Sequence, residues 1–118
     1  MRLFLNNISI RPSCGECVFN HKRSLADITL ADYWGIDKQY PEFDDDKGVT
    51  LVLVNSKAGA ELLAQVKDKA ELLTTDFAKG AEYNLAVSKS LPLNPKRTFF
   101  FEHLDEYTLK EMVERCLE

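Results

Sequence analysis

The sequence predicts a small mixed α/β domain, an α+β arrangement with strands first and helices last, and three stretches carry that prediction. Val49-Thr50-Leu51-Val52-Leu53-Val54 is a β-branched, apolar run of strand length. Residues 57–70 place Leu62, Leu63, Val66 and Ala70 on one stripe at helical spacing. Near the C-terminus, Leu109, Met112, Val113, Cys116 and Leu117 recur with the same period and form one apolar helix face. A chain of 118 residues suffices for one domain and one modest core, so residues 1–118 are expected to form a single domain.

Taken in order, residues 3–10 alternate weakly and predict a short strand with Asn6-Asn7 at a turn or bulge. Arg11-Pro12-Ser13 stops ladder pairing, because Pro12 has no N–H to donate. Residues 14–23 read as a loop on their Gly and polar content. Residues 27–33 alternate with a period of two and predict a strand with one buried face, ending at Trp34-Gly35. Asp44-Asp45-Asp46-Lys47-Gly48 is a surface loop by composition. The 49–54 run, apolar on both faces, is expected to be a central strand. Ser56 is the candidate N-cap of the helix that follows. Residues 72–77 are expected to return as a strand, making a strand–helix–strand unit with a right-handed parallel crossover. Helices are expected over 78–88, over 96–104 behind Asn94-Pro95, and behind the Thr108/Glu111 capping-box pair.

Composition excludes several classes. With 45% hydrophobic and 29% charged residues, the chain is neither a disordered tail nor a collagen. Fifteen basic against nineteen acidic residues, a net charge of −4, lack the positive field that sequence-independent nucleic-acid binding needs. No apolar run approaches the roughly 20 residues of a membrane span, and Asn6-Asn7 interrupts the N-terminal apolar residues before a secretory signal forms. Three cysteines, an odd number, fit a reducing, cytoplasmic compartment better than a disulfide framework.

The most pointed chemical feature is Cys14-Gly15-Glu16-Cys17. Two thiolates at this spacing can aim both sulfurs at one metal, with His21 in reach as a third ligand. A redox dithiol and a pair of unmodified loop thiols are the other readings. Cys116 sits in the apolar stripe of the last helix and is expected to be core. Asp27, Asp32 and Trp34-Gly35 bracket a strand, where such residues either line a cofactor pocket or merely cap turns. The Asp44–Asp46 run lacks the spacing of a calcium loop and reads as solvated. His21-Lys22-Arg23 reads as a solvated basic cluster, and His103, beside Phe99-Phe100-Phe101, as a packed or solvated histidine.

The ordered string Arg11-Pro12-Ser13-Cys14-Gly15-Glu16-Cys17-Val18-Phe19, then Ala26 to Gly35 with Asp32-Tyr33-Trp34-Gly35, then Asp46-Lys47-Gly48 running into the 49–54 strand and Asn55, resembles one family. It is similar to the C-terminal domain of the coenzyme F-420 hydrogenase/dehydrogenase β-subunit family, in particular to bacterial members encoded near polysaccharide-biosynthesis enzymes. Asn94-Pro95-Lys96-Arg97 and Phe100 fit that bacterial pattern. Ala31 departs from it, standing where the family usually has Gly.

The resemblance implies part of an iron–sulfur flavoprotein oxidoreductase that moves electrons between a flavin or deazaflavin and a cluster. By that analogy Cys14 and Cys17 are metal ligands of a 4Fe-4S cluster whose other ligands lie outside these residues. Asp32, Trp34, Gly35 and Gly48 shape a cofactor wall beside the cluster or an FAD or deazaflavin. The chain begins just before the cysteine motif, so the ferredoxin-like and flavin-binding regions are expected elsewhere, or on a separate electron-transfer protein. It is therefore expected to be a fragment of an oxidoreductase, inactive alone and with no catalytic residue of its own. Apolar surface at a lost interface can drive homodimerisation. The competing reading is a small zinc-binding or protein-interaction module without redox activity.

Overall fold

The computed structural model describes residues 1–20 and 24–118, so the expected third ligand His21 and its neighbours Lys22 and Arg23 lie outside the described residues. The chain order is α1 (Arg2–Leu5), α2 (Pro12–Gly15), β1 (Ile28–Asp32), α3 (Ile36–Gln39), β2 (Thr50–Val54), α4 (Lys57–Val66), α5 (Phe77–Ala81), α6 (Arg97–Glu102) and α7 (Leu109–Leu117). Single 3-10 turns follow α4 and α5, at Lys67–Lys69 and Leu85–Val87. Helices together with a small sheet make the chain mixed α/β, as its sequence predicts. It forms two compact units, one of Met1–Cys17 with Ser90–Glu118 and the other Val18–Lys89.

In the first unit the expected strand over residues 3–10 is instead the one-turn helix α1. Asn7 explains the difference, because it adopts a left-handed conformation at φ 58° that Asn tolerates better than most residues. The chain then folds back in a Schellman closure: Ile8 N–H donates to the Leu3 carbonyl at 3.0 Å and Asn7 N–H to the Phe4 carbonyl at 2.9 Å. This turns Ile8 onto Leu3, and both join Phe100, Met112 and Cys116 in a buried cluster. Cys116 is thus core, its thiol 3.7 Å from the Met112 sulfur. The loop expected over residues 14–23 is helical at its start: α2 takes in Cys14 and Gly15, with Pro12 in the first turn where its missing N–H costs nothing.

Helix α7 forms with both halves of its capping box. Thr108 N–H and hydroxyl donate to the Glu111 carboxylate at 2.8 and 2.7 Å, and Glu111 N–H returns to the Thr108 hydroxyl at 3.4 Å. The Thr108 hydroxyl first, and its backbone N–H second, hold the Glu111 carboxyl below its ordinary value. A lowered value in the folded chain means a contribution complete at neutral pH that fades as pH falls through it. Thr108→Ala is therefore expected to cost about 1 kcal/mol at pH 7, and the gap to the parent in urea unfolding is expected to narrow below the usual carboxylate range. Helix α6 starts one residue later than Asn94-Pro95 suggests, because Asn94 makes a turn of its own, accepting the Lys96 N–H on its side chain and the Arg97 N–H on its carbonyl.

In the second unit β1 and β2 pair antiparallel, with Ile28 opposite Val54 and Asp32 opposite Thr50. One face of this sheet packs Leu51 and Leu53 against Tyr33, Ile36, Ala81 and Val87. Ser56 caps α4 as expected, accepting the Gly59 N–H at 3.1 Å, and its hydroxyl donates to the Asp27 carboxylate. Gly80 lets α5 approach β2 closely, since a Cβ there would meet the Leu51 side chain at 2.8 Å.

Four expectations fail here. The strand predicted over 72–77 does not form: residues 71–76 make no ladder, Phe77 opens α5, and no parallel crossover results. Asp76 diverts the chain by capping α5 through the Lys79 N–H, and the Thr75 hydroxyl is bonded to the Tyr33 and Tyr40 phenols instead. Consequently β2 is an edge rather than a central strand, and Val54 remains 42% exposed. The helix predicted over 78–88 is split, with α5 ending at Ala81 and a 3-10 turn resuming at Leu85.

Candidate functional site

Cys14 and Cys17 are both half-buried and stand one helical turn apart, Cys14 within α2 and Cys17 just beyond its end. The turn is held from three directions by distant residues of the same unit. Arg97 Nε donates to the Ile10 carbonyl at 3.0 Å, fixing the approach to α2. Leu93 covers Gly15, where a Cβ would lie 2.9 Å from Leu93 Cγ. The Ser90 hydroxyl donates to the Cys17 carbonyl at 3.2 Å. Sequence reasoning missed these supports; the only signal was the proximity of Arg97 to the Asn94-Pro95 pair.

Two sulfurs in this disposition are the right donor class for zinc or an iron–sulfur cluster. Among the described residues no group of three or more His, Cys, Asp and Glu side chains converges on one point. The thiol pair therefore fits as part of a ligand set, and any further ligands come from beyond those residues.

The residues named for a cofactor wall belong to the other unit. Asp32 ends β1 exposed, its carbonyl accepting the Asn84 amide at 3.0 Å. Trp34 is 51% exposed. Gly35 opens α3 at φ 81°, and a Cβ there would sit 2.3 Å from the Tyr83 ring. Gly48, at φ 93°, has nothing within 4 Å of the place a Cβ would take, and it feeds β2 from the Asp44–Lys47 turn. A cavity of about 780 Å³ lies along β2, and Gly48 lines it together with Tyr33 and Ile36, the neighbours of Trp34 and Gly35 in the chain. Asp32, Trp34 and Gly35 themselves are not among its lining residues.

The remaining candidates serve structure. Asp27 accepts from Asn55 and Ser56 where β1 begins. His103 lies against both Phe99 and Tyr107 at centroid distances of 4.4 and 5.9 Å, with its Nδ1 2.9 Å from the Phe99 carbonyl. In the acidic run, Asp45 pairs with Lys47 at 2.8 Å. The Lys47 side chain first, and its N–H second, lower the Asp45 carboxyl from its ordinary value.

The described residues thus combine a mixed α/β fold with a thiol pair on one helical turn and, in the other unit, a short antiparallel sheet. The family model for the C terminus of the coenzyme F420 hydrogenase/dehydrogenase beta subunit matches residues 4–79, and the chain belongs to this family. The match takes in both cysteines, β1, β2 and Gly48, and membership marks the chain as a redox-subunit module. No curated relative and no solved structure matches it. Among the described residues no helix is long and apolar enough to cross a membrane.

Proposed function

We propose that the chain is an electron-transfer module of an iron–sulfur flavoprotein oxidoreductase, its two units acting together as one C-terminal domain. Cys14 and Cys17 supply two thiolates to a 4Fe-4S cluster completed by ligands on a ferredoxin-like region or a separate electron-transfer protein. The observation that carries this reading is the cysteine turn itself, braced by Arg97, Leu93 and Ser90 within a family of redox subunits. Iron–sulfur and flavin groups supply the electron chemistry when bound. The chain's own part is to orient two sulfurs, give up the thiol protons on ligation, and limit water access by half-burying both side chains.

Asp32, Trp34, Gly35 and Gly48 are proposed to face the flavin or deazaflavin side, with the exposed Trp34 ring as the surface for a planar cofactor. The three thiols fit a cytoplasmic setting. Alone, the chain is expected to show no flavin or deazaflavin reductase turnover in a steady-state assay. Turnover at enzymatic rates by the isolated 118-residue chain would contradict the module reading. Ser90→Ala is expected to leave the fold intact while loosening the cysteine turn, read as a weaker stoichiometric uptake of iron under anaerobic conditions.

A further inference from the structure

Among the described residues the outer-edge backbone groups of β2 have no partner, and the surroundings of that edge indicate what fits them. Tyr33 N–H donates to the Val49 carbonyl at 2.9 Å, and Asn55 N–H to the Asp27 carbonyl at 2.8 Å. With Ala31 opposite Leu51 and Thr29 opposite Leu53, the odd-numbered residues of β2 direct their backbone groups to β1. Thr50, Val52 and Val54 therefore turn their N–H and C=O groups away from β1. Among the described residues no hydrogen bond reaches those groups.

That edge opens into the 780 Å³ cavity. Every residue from Gly48 to Val54 lines it, and so does every residue from Ala70 to Phe77. A strand seen from one face would contribute alternate residues; an unbroken run is what an edge contributes. The charged side chains among the described lining residues are Asp45, Glu71 and Asp76; Lys47 pairs with Asp45 at 2.8 Å, while no ion pair reaches Glu71 or Asp76 among the described residues. Leu30, directly opposite Val52, is 66% exposed, so an apolar side chain stands open on the outer sheet face next to this edge.

We propose that the β2 edge is a docking slot for an extended segment of a partner protein, in which apolar residues alternate and lysine or arginine stands at the ends. Such a segment adds a third strand to the sheet, with backbone hydrogen bonds supplying affinity and side-chain pockets supplying selectivity. Its basic ends face Glu71 and Asp76, the two lining carboxylates with no ion pair among the described residues. A second copy of this chain is the poorer occupant, since its β2 edge brings the same acidic side chains, Glu71 and Asp76, to the slot. Docking of this kind is independent of cofactor loading, which is read by other signals.

The test uses the full chain, 15N-labelled, with an acetylated and amidated peptide Lys-Val-Thr-Val-Thr-Val-Lys and its counterpart ending in Glu. The Lys-ended peptide is expected to slow amide exchange at Thr50, Val52 and Val54 by about tenfold or more. Leu51 and Leu53, already bonded to β1, are expected to stay unchanged, and the Glu-ended peptide to have no effect. Val52→Pro keeps the β1 ladder because its N–H faces away, and it is expected to abolish the protection. Should that variant fail to fold, Asp45→Lys with Glu71→Lys, both on exposed side chains, is expected to reverse the preference toward the Glu-ended peptide. No slowing at millimolar peptide, an equal response to both peptides, or protection that rises with protein concentration alone, marking a second copy, would each overturn the proposal.

Discussion

Ile8→Ala is expected to lower the unfolding free energy by about 3 kcal/mol, within the range for emptying a buried isoleucine site. Ile8 is 0% exposed and packs with Leu3, Phe100, Met112 and Cys116. It also closes α1, a helix of four residues that has no stability apart from its packing. Removing the side chain leaves a cavity among residues drawn from both ends of the sequence, which cannot collapse together without disturbing the Schellman turn at Asn7. Urea unfolding followed by circular dichroism measures the effect. A loss under about 1 kcal/mol would mean that the site relaxes freely, contrary to the packing described.

Gly35→Ala is expected to have a comparable effect for a different reason. The residue sits at φ 81°, where a Cβ costs about 1–2 kcal/mol on backbone grounds alone. That Cβ would also lie 2.3 Å from Cδ2 of Tyr83, whose ring carries the Lys38 ammonium 4.9 Å from its centroid. The Tyr83 ring is 44% exposed, so moving it adds roughly 1 kcal/mol, the low end of an overpacking cost, and a total of about 2–3 kcal/mol is expected. Gly48→Ala is the internal control. It shares a positive φ but meets open space, and is expected to show only the backbone part. Equal losses at the two positions, compared by thermal and urea unfolding, would remove Tyr83 from the explanation. This comparison also separates a packing role for Gly35 from its proposed place in a cofactor wall.

Much of the fold was legible because its signals are local. The period of residues 109–117, the Thr108/Glu111 box, the Ser56 cap and the alternation of β1 each depend on residues within a few positions of one another. The failures share the opposite property. Residues 72–77 have strand-forming composition, yet a strand exists only where a partner edge accepts it, and Thr75 and Asp76 are engaged by Tyr33, Tyr40 and Lys79. The first two helices are single turns, too short for any period to register, and α1 depends on one left-handed asparagine. At the candidate site the thiol pair was legible from its spacing. Its bracing by Ser90, Leu93 and Arg97 was not, because these residues lie more than seventy positions away along the chain. The odd cysteine resolves cleanly, with Cys116 in a core and the other two on one turn.

The central role assigned to Cys14 and Cys17 is that of thiolate ligands in a redox-subunit module. Anaerobic reconstitution of the chain with ferrous iron and sulfide, read by visible absorbance, electron paramagnetic resonance after reduction, and iron, sulfide and zinc analysis, tests it most directly. The parent chain, alone or with a ferredoxin-like partner domain added, is expected to take up iron and sulfide with a reducible cluster signal, and Cys14→Ser and Cys17→Ser each to abolish it. Tight stoichiometric zinc with no cluster in any of these samples, or cluster formation that survives loss of both thiols, would contradict it.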